Sequence, residues 1–406
     1  MATFIKLAWR NLWRNKRRTI ITITAIMFAV LAAVFMQSIN RGSYEVMIDR
    51  MVSFNTGYIQ VQDYRFDDES SLDNSFYYDE ELRDKILNAD WRIDKIVPRI
   101  ETFMLAANDV STRGAVVLGI DPDKEHEFNE IRNILSDGRF FEAGEQSVVL
   151  GQGMANRLQL SVGDTLALMG QGRFGMSASG LFEITGIVDH PIRDFNNQVV
   201  YLPLDTAQEL LSAYDHVTSV LITLQNERHT NPVAASLKSA LDGGELVVYT
   251  WPELMPEILE LMEMDLAVPR LLTVVLYIVI GFGFFGTVLT MTMERLKEFG
   301  VLLSIGLKRL GLASVLFLET LLFSLMGVLF GLGFAWSILK LIDPINLSGE
   351  AAQAVIDLGF DPVIPMSFAP DQFYTQGFYV FIIAMIVFLF PLIKISRLNI
   401  LEAARS

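Results

Sequence analysis

The chain has 406 residues, is 51% hydrophobic and carries a formal net charge of −15 without a single cysteine. Its apolar residues are too unevenly spread for an ordinary soluble protein of two or three domains. The missing cysteines exclude disulfide bracing and a lipoprotein signal, and no nucleic-acid partner is expected.

Residues 1–18 are basic and amphipathic, with Lys6, Arg10, Arg14, Lys16, Arg17 and Arg18. Thr19 to Asn40 then runs 22 residues without a charge. A bilayer core needs about 20 apolar residues of helix, whose backbone groups bond internally. The run exceeds a secretory h-region and no small-x-small cleavage site follows it, so 19–40 reads as a retained first span.

Residues 41–270 form a large intervening domain. Residues 41–57 are helix-compatible, a stalk continuing the span. "YIQVQ" alternates as a strand does, "YDEELRDKILNA" is an amphipathic helix, and "DKIVPRIETFMLAA" and "RGAVVLGID" are strands. Short strands with glycine turns follow, through "SVVLGQGMANRLQLSVGDTLALMG", "LFEITGIV" and "NNQVVYLP". The stretch "GQGRFGMSASG" (170–180) reads as a flexible loop. "LDTAQELLSAY" is a helix with Asp205 as its N-cap, then "SVLITL" a strand, "NPVAASLKSAL" a helix and "LVVYTW" a strand. The pattern is α+β: a β-α-β-α-β-like frame with a strand-rich insertion at about 100–203. From Pro252 the helical reading is uninterrupted to about Gly300, with Pro256 and Pro269 as candidate kinks.

Three further spans follow: 271–293, 310–339 with the single acid Glu319, and 372–393. A charged helix at 294–309 joins the second to the third, a loop at 340–371 the third to the fourth, and 394–406 forms the C-terminus. Basic residues before span one, between spans two and three and after span four share one side, which the positive-inside rule makes cytoplasmic. The intervening domain, with 38 acidic and 17 basic side chains over 41–269, then lies outside the cell membrane.

Enzyme signals are weak. His126, His190, His216 and His229 are scattered, with no metal-ligand spacing. "DPDKEHEFNE" (121–130) reads as a helix start capped by Asp121, its acids favoured by the helix dipole. "HPIRDF" (190–195) reads as a turn. No G-x-x-x-x-G-K-[ST] loop occurs, so no ATP hydrolysis by these residues is expected, and no catalytic, metal or cofactor site.

The helix "ERLKEFGVLLSIGLKR" alternates polar and apolar residues at helical spacing. Either it is an interfacial connector whose bases meet anionic lipid, or it docks a cytoplasmic partner. Gly300 and Gly306 favour docking, since a glycine lets a helix bend or another backbone approach. Glu319, an acid within a span, reads as bonding a neighbouring span or reaching Lys308 and Arg309. Gly327 and Gly331 stand at GxxxG spacing, a helix-packing face.

These residues carry a resemblance. "ERLKEFGVLLSIGLKRLGLASVLFLETLLFSLMGVLFG" resembles the signature block of MacB/FtsX-type ABC transporter permeases at Glu294, Arg295, Glu298, Gly300, Ser304, Ile305, Gly306 and Glu319. "LAWRNLWRNKRRT" and "PLIKISRLNILEAARS" are similar to the family's ends, the latter at Pro391, Arg397, Glu402, Ala403 and Arg405, with Ile400 and Ala404 as departures. "VPRIETFMLAA", "VVLGIDPDKE", "LSDGRFFEAGEQSVVLGQGMANRLQLSVGDTLAL" and "FEITGIVD" resemble the lipoprotein-releasing (LolC/LolE-like) permeases within that family.

The resemblance implies a fold: an α-helical membrane protein of four transmembrane helices, with a large α+β Porter/Sabre-like extracytoplasmic domain between helices 1 and 2. It implies an inner-membrane permease paired with a second, identical or different, permease. A separate cytoplasmic ATPase dimer, which holds the ATP and Mg, docks on Glu294, Arg295, Glu298, Phe299, Gly300, Ser304, Ile305, Gly306, Lys308 and Arg309. Extraction of lipoproteins from the inner membrane is the implied function, with efflux or secretion of peptides or small molecules, or transmembrane signalling to cell-wall hydrolases, as the alternatives. Lipoprotein cargo, a periplasmic chaperone and membrane lipid are the remaining partners. Met27, Phe28, Leu31, Phe35, Phe282 and Phe285 are the expected lining of an acyl-chain cavity.

Overall fold

The computed structural model describes residues 2–14, 16–66, 71–357 and 362–397. Glu402, Ala403 and Arg405, with the departures at 400 and 404, lie outside the described residues. The described chain divides into two compact units, Met1–Val46 with Glu260–Ser406, and Met47–Leu259.

The first unit is a helical bundle. After the helix Ala2–Arg14, four helices are long and apolar enough to cross a membrane: Lys16–Thr56, Pro256–Glu294, Arg309–Ile342 and Pro370–Ser396. Ile26, Val30 and Val34 of the first span, Phe284 and Val288 of the second, Phe323 and Ala335 of the third and Val380 and Ala384 of the fourth share one core. Gly327 and Gly331 face the first span: a β-carbon at Gly327 would lie 2.5 Å from Ile26, and one at Gly331 2.9 Å from the Met27 carbonyl. Two missing side chains thus let the third span approach the first backbone-close, the packing that replaces hydrophobic drive in lipid.

The helical reading over 252–300 is corrected. Trp251–Leu254 is a separate short helix, Met255 leaves helical geometry, and Pro256 opens the long helix. Proline suits that first position because its missing N–H would find no partner there anyway. Pro269 sits inside the helix without ending it. The chain breaks again at Arg295 before Leu296–Ser304.

The second unit holds the large sheet. Leu246–Thr250, Ile59–Asp63, Ser219–Leu224 and Ile93–Ala107 lie side by side, all antiparallel. Glu80–Leu87, capped by Asp79, and Thr230–Ala240 pack on them through Ile86, Val233 and Leu237. The frame is therefore β-α-β-β-α-β, a ferredoxin-like order with one strand more than the sequence pattern suggested. The extra strand is concealed because Ile93–Ala107 also begins the insertion.

There the sheet closes on itself. Ile93–Ala107 pairs with Thr112–Ile120, which pairs with Val199–Pro203, then Ser147–Gly151, Ser177–Val188 and Thr165–Gln171. The last returns to Ile93–Ala107 through Leu105 opposite Met169. Met104, Val117, Leu150, Leu166, Leu168, Ile184 and Leu202 fill the ring. Closure leaves these six strands no unpaired edge around the circuit.

Two local readings change. Residues 170–180 are not a loose loop: Gln171 pairs with Ser177, so only a tight tip separates two strands. The Phe174 N–H donates to Asp73 and the Arg173 N–H to the Leu211 carbonyl, tying the tip down. In the helix Leu204–Leu210 the N-cap position is Pro203, which makes no side-chain capping bond, and Asp205 sits in the first turn instead of capping it.

Candidate functional site

The helix Leu296–Ser304 is shorter than the 294–309 predicted. It has two faces. Leu296, Phe299, Leu303 and Leu307 recur at helical spacing and pack against Leu312, Leu316, Phe388 and Ile395. Gly300 is buried on the same side. Lys297, Ser304 and Lys308 point outward with Val301, Leu302 and Ile305, the last 80% exposed. Gly306 does not bend the helix but terminates it: its φ of +102° belongs to glycine, and its N–H donates back to Leu303. Arg309 begins the next helix and donates to the Ser396 carbonyl at 2.5 Å.

The acids of this segment are engaged within the chain. Glu294 pairs with Arg18 and Glu298 with Arg14, all four side chains being roughly half exposed. Glu319 is different, at 5% exposure. One carboxylate oxygen accepts from the Arg295 guanidinium at 2.8 Å and the other from the Asn11 amide at 2.6 Å. Of the two alternatives expected, a bond to a neighbouring segment or to Lys308 and Arg309, the structure shows the first, with Arg295 at the end of the second span and Asn11 in the N-terminal helix. The N-terminal helix is a participant that sequence reasoning missed, since nothing local connects Asn11 to a residue 308 positions away.

The candidate cavity residues fall into two groups. Leu31, Phe35 and Phe285 pack against the span core, Met27 is half-buried, and Phe28 and Phe282 project outward at 59% and 72% exposure.

The intervening domain contains a second polar centre that the sequence did not reveal. Asp121 caps the helix Pro122–Asn129 by accepting from the N–H groups of Asp123 and Lys124. Glu125, inside the acid-rich run taken as a solvated helix start, is fully buried. It takes a two-pronged ion pair from Arg99, also buried, with Nε at 3.0 Å. Arg99 further donates to the carbonyls of Phe54 and Asn55 at 3.1 and 3.0 Å, at the end of the helical segment Val52–Thr56. His190 meets Phe54 edge-on on one side and Phe195 at a tilt on the other. Burial pushes its imidazole down to about 4, and the nearby Arg99 adds to this. Its Nδ1 lies 3.1 Å from the Ile192 nitrogen and 3.3 Å from the Ile192 carbonyl oxygen, and its buried Nε2 has no hydrogen-bond partner among the described residues. Among the described residues no cluster of three or more His, Cys, Asp or Glu is arranged to hold a metal.

These features meet a clear family match. The MacB-like periplasmic core domain profile matches residues 19–240, and the FtsX-like permease C-terminal profile matches 270–400. The chain belongs to the MacB/FtsX-type family of ABC transporter permeases. It is 22% identical over 330 residues to the lipoprotein-releasing system transmembrane protein LolC of Xylella fastidiosa strain 9a5c, covering 78% of each chain. It is also 20% identical over 360 residues to the macrolide export ATP-binding/permease protein MacB of Agrobacterium fabrum, covering 85% of this chain and 54% of that one. Among solved structures it is similar to the periplasmic region of MacB from Actinobacillus actinomycetemcomitans (13% identity, TM-score 0.36, 51% of this chain and 95% of that one). The extracellular domain of the transporter YknZ is a further neighbour (16%, 0.34, 47% and 99%). This MacB/FtsX-type permease is thus a four-span membrane protein with its large α+β domain between the first and second spans.

Proposed function

We propose that the chain is the permease subunit of an ABC transporter that extracts lipoproteins from the inner membrane for delivery outward. A separate ATPase dimer binds ATP and Mg on the cytoplasmic side and docks on the outward face of Leu296–Ser304. A second permease, identical or different, completes the pair. The observation that carries this reading is the match to a lipoprotein-releasing transmembrane protein over 78% of both lengths. Geometry supports the docking step: a short helix is held on one face by Phe299 and Leu303 and offers Val301, Leu302 and Ile305 with Lys297 and Lys308 on the other. Apolar centres with a charged rim suit a protein partner better than headgroups alone.

The basic residues at 6–18, 295–309 and 394–405 place both termini in the cytoplasm in this reading. Lipoprotein acyl chains then enter from the outer leaflet, and a periplasmic chaperone receives the cargo. A second reading, export of peptides or small molecules, is favoured by the similarity to macrolide export proteins over 85% of this chain.

Affinity purification of the tagged protein from native membranes, with mass spectrometry of bound polypeptides and their acylation, separates these two from each other and from the third alternative, signalling to a cell-wall hydrolase. An ATPase with acylated lipoproteins is expected. An ATPase with a periplasmic adaptor and no acylated cargo supports export, an ATPase with a cell-wall hydrolase regulator supports signalling, and no ATPase refutes the docking step.

A further inference from the structure

Three segments far apart in sequence meet at one carboxylate. Glu319 lies inside the third span, and both of its oxygens are occupied, by Asn11 of the N-terminal helix and by Arg295. Arg295 is itself the non-helical residue at which Pro256–Glu294 gives way to Leu296–Ser304. A carboxylate in an apolar span is costly unless paired, and an aliphatic residue would pack there without that cost. A buried polar contact does what an aliphatic one does not: it fixes direction and register. The surrounding contacts of Phe299 and Leu303 are non-directional, and the pairs Arg14–Glu298 and Arg18–Glu294 are half exposed and individually weak.

We propose that Glu319 is a positioning residue that ties the N-terminal helix and the short helix 296–304 to the third span as one body. The N-terminal helix is then part of the docking apparatus rather than a separate membrane-surface element. A force on the short helix reaches the spans through the corner at Arg295. Only the source of that force rests on the ATPase-docking reading; the node stands on geometry within the helical bundle.

The chain has no native cysteine, so paired cysteines report proximity without background. Arg14→Cys with Glu298→Cys, joined by a short bismaleimide in the purified full-length protein, reads the juxtaposition of the two helices. Glu319→Gln keeps the shape and loses the charge; it is expected to lower the crosslink yield at least threefold. Asn11→Ala is expected to do the same, while Asn11→Gln, which keeps the amide donor, stays within twofold of the parent. Gln376→Leu removes a different contact between spans, to Gln37 and Tyr277, and is expected to leave the yield unchanged. An unchanged yield in Glu319→Gln, or an equal fall in Gln376→Leu, overturns the proposal. If Glu319→Gln is not recovered from membranes, the Asn11 pair of variants decides by the same criteria. Because the crosslink needs no ATPase, absence of an ATPase from the parent refutes docking and not the node. An ATPase retained by Glu319→Gln with an unaltered crosslink refutes the node and not docking.

Discussion

Glu125→Ala tests the buried centre of the intervening domain most directly. The substitution removes the two-pronged partner of the Arg99 guanidinium, itself 3% exposed, and leaves it the Phe54 and Asn55 carbonyls, the face of the Phe128 ring and the more distant charge of Glu101. Removing one member of a buried ion pair costs about 3–5 kcal/mol, because the other charge stays desolvated. For a unit the size of Met47–Leu259, each kcal/mol lowers the midpoint by about 2–4 °C, so a drop of about 10 °C is expected. Scanning calorimetry of the full chain in detergent measures it. The double variant Arg99→Met/Glu125→Leu removes both charges and should recover at least half of the loss, since it leaves no orphaned charge. A drop below about 2 °C for Glu125→Ala would show that water or another group compensates Arg99. A double variant as unstable as the sum of its singles would show that the two residues are not coupled.

Other consequences are equally specific. The His190 imidazole has a folded pKa lowered to about 4 by burial, so the native state binds its proton less readily than the unfolded chain. Its contribution is complete above pH 6.5 and is lost as pH falls from there towards 4, reaching about 3 kcal/mol; His190→Gln should remove that part of the pH–stability profile. Gly331→Leu drives a side chain into the Met27 carbonyl and Val30, and should destabilise the bundle by about 1–3 kcal/mol. Gly283→Ala, where a β-carbon meets nothing within 4 Å, should be neutral or slightly stabilising in the same melts. Ile305→Asp, on the exposed face, should abolish co-purification of an ATPase while changing the chain's own stability by less than about 0.5 kcal/mol. Leu303→Asp, on the buried face, should destabilise the bundle itself, and equal behaviour of the two variants would refute the two-faced reading of this helix.

Much of this fold is legible because lipid and backbone chemistry leave few options. A span must be a long, predominantly apolar helix, and all four stand out on length and hydropathy. The short helix that joins the second span to the third is written in Leu296, Phe299 and Leu303, whose spacing is that of one buried face. The strands of the domain are legible one by one, but their partners are not. Ile93–Ala107 serves both the ferredoxin-like frame and the closed ring, and a single 15-residue strand carries no local mark of that double use. Closure through Leu105 and Met169 is likewise a tertiary fact, which is why the tip between the last two strands passed for a flexible loop.

The partners of Glu319, and the Arg99–Glu125 centre as a whole, were missed for a related reason. Charge counting treats every acid alike, and Glu125 in "DPDKEHEFNE" looks no different from its solvated neighbours. What distinguishes it is an arginine, Arg99, 26 residues upstream on the adjoining strand. Glu319 has the same relation to Arg295, 24 residues upstream across one helical turnaround. Both separations are about one supersecondary unit, the distance over which a chain leaves and returns to its own neighbour. Each arginine also lies beside apolar residues, Val97 and Ile100 in one case and Leu296 and Phe299 in the other. That pattern does not suffice as a sequence signal: Arg139 is followed by buried Phe140 and Phe141, yet Asp164, 25 residues downstream, is exposed. Only the tertiary fold, which turns Glu125 and Glu319 towards their arginines, separates them from the acids that face water.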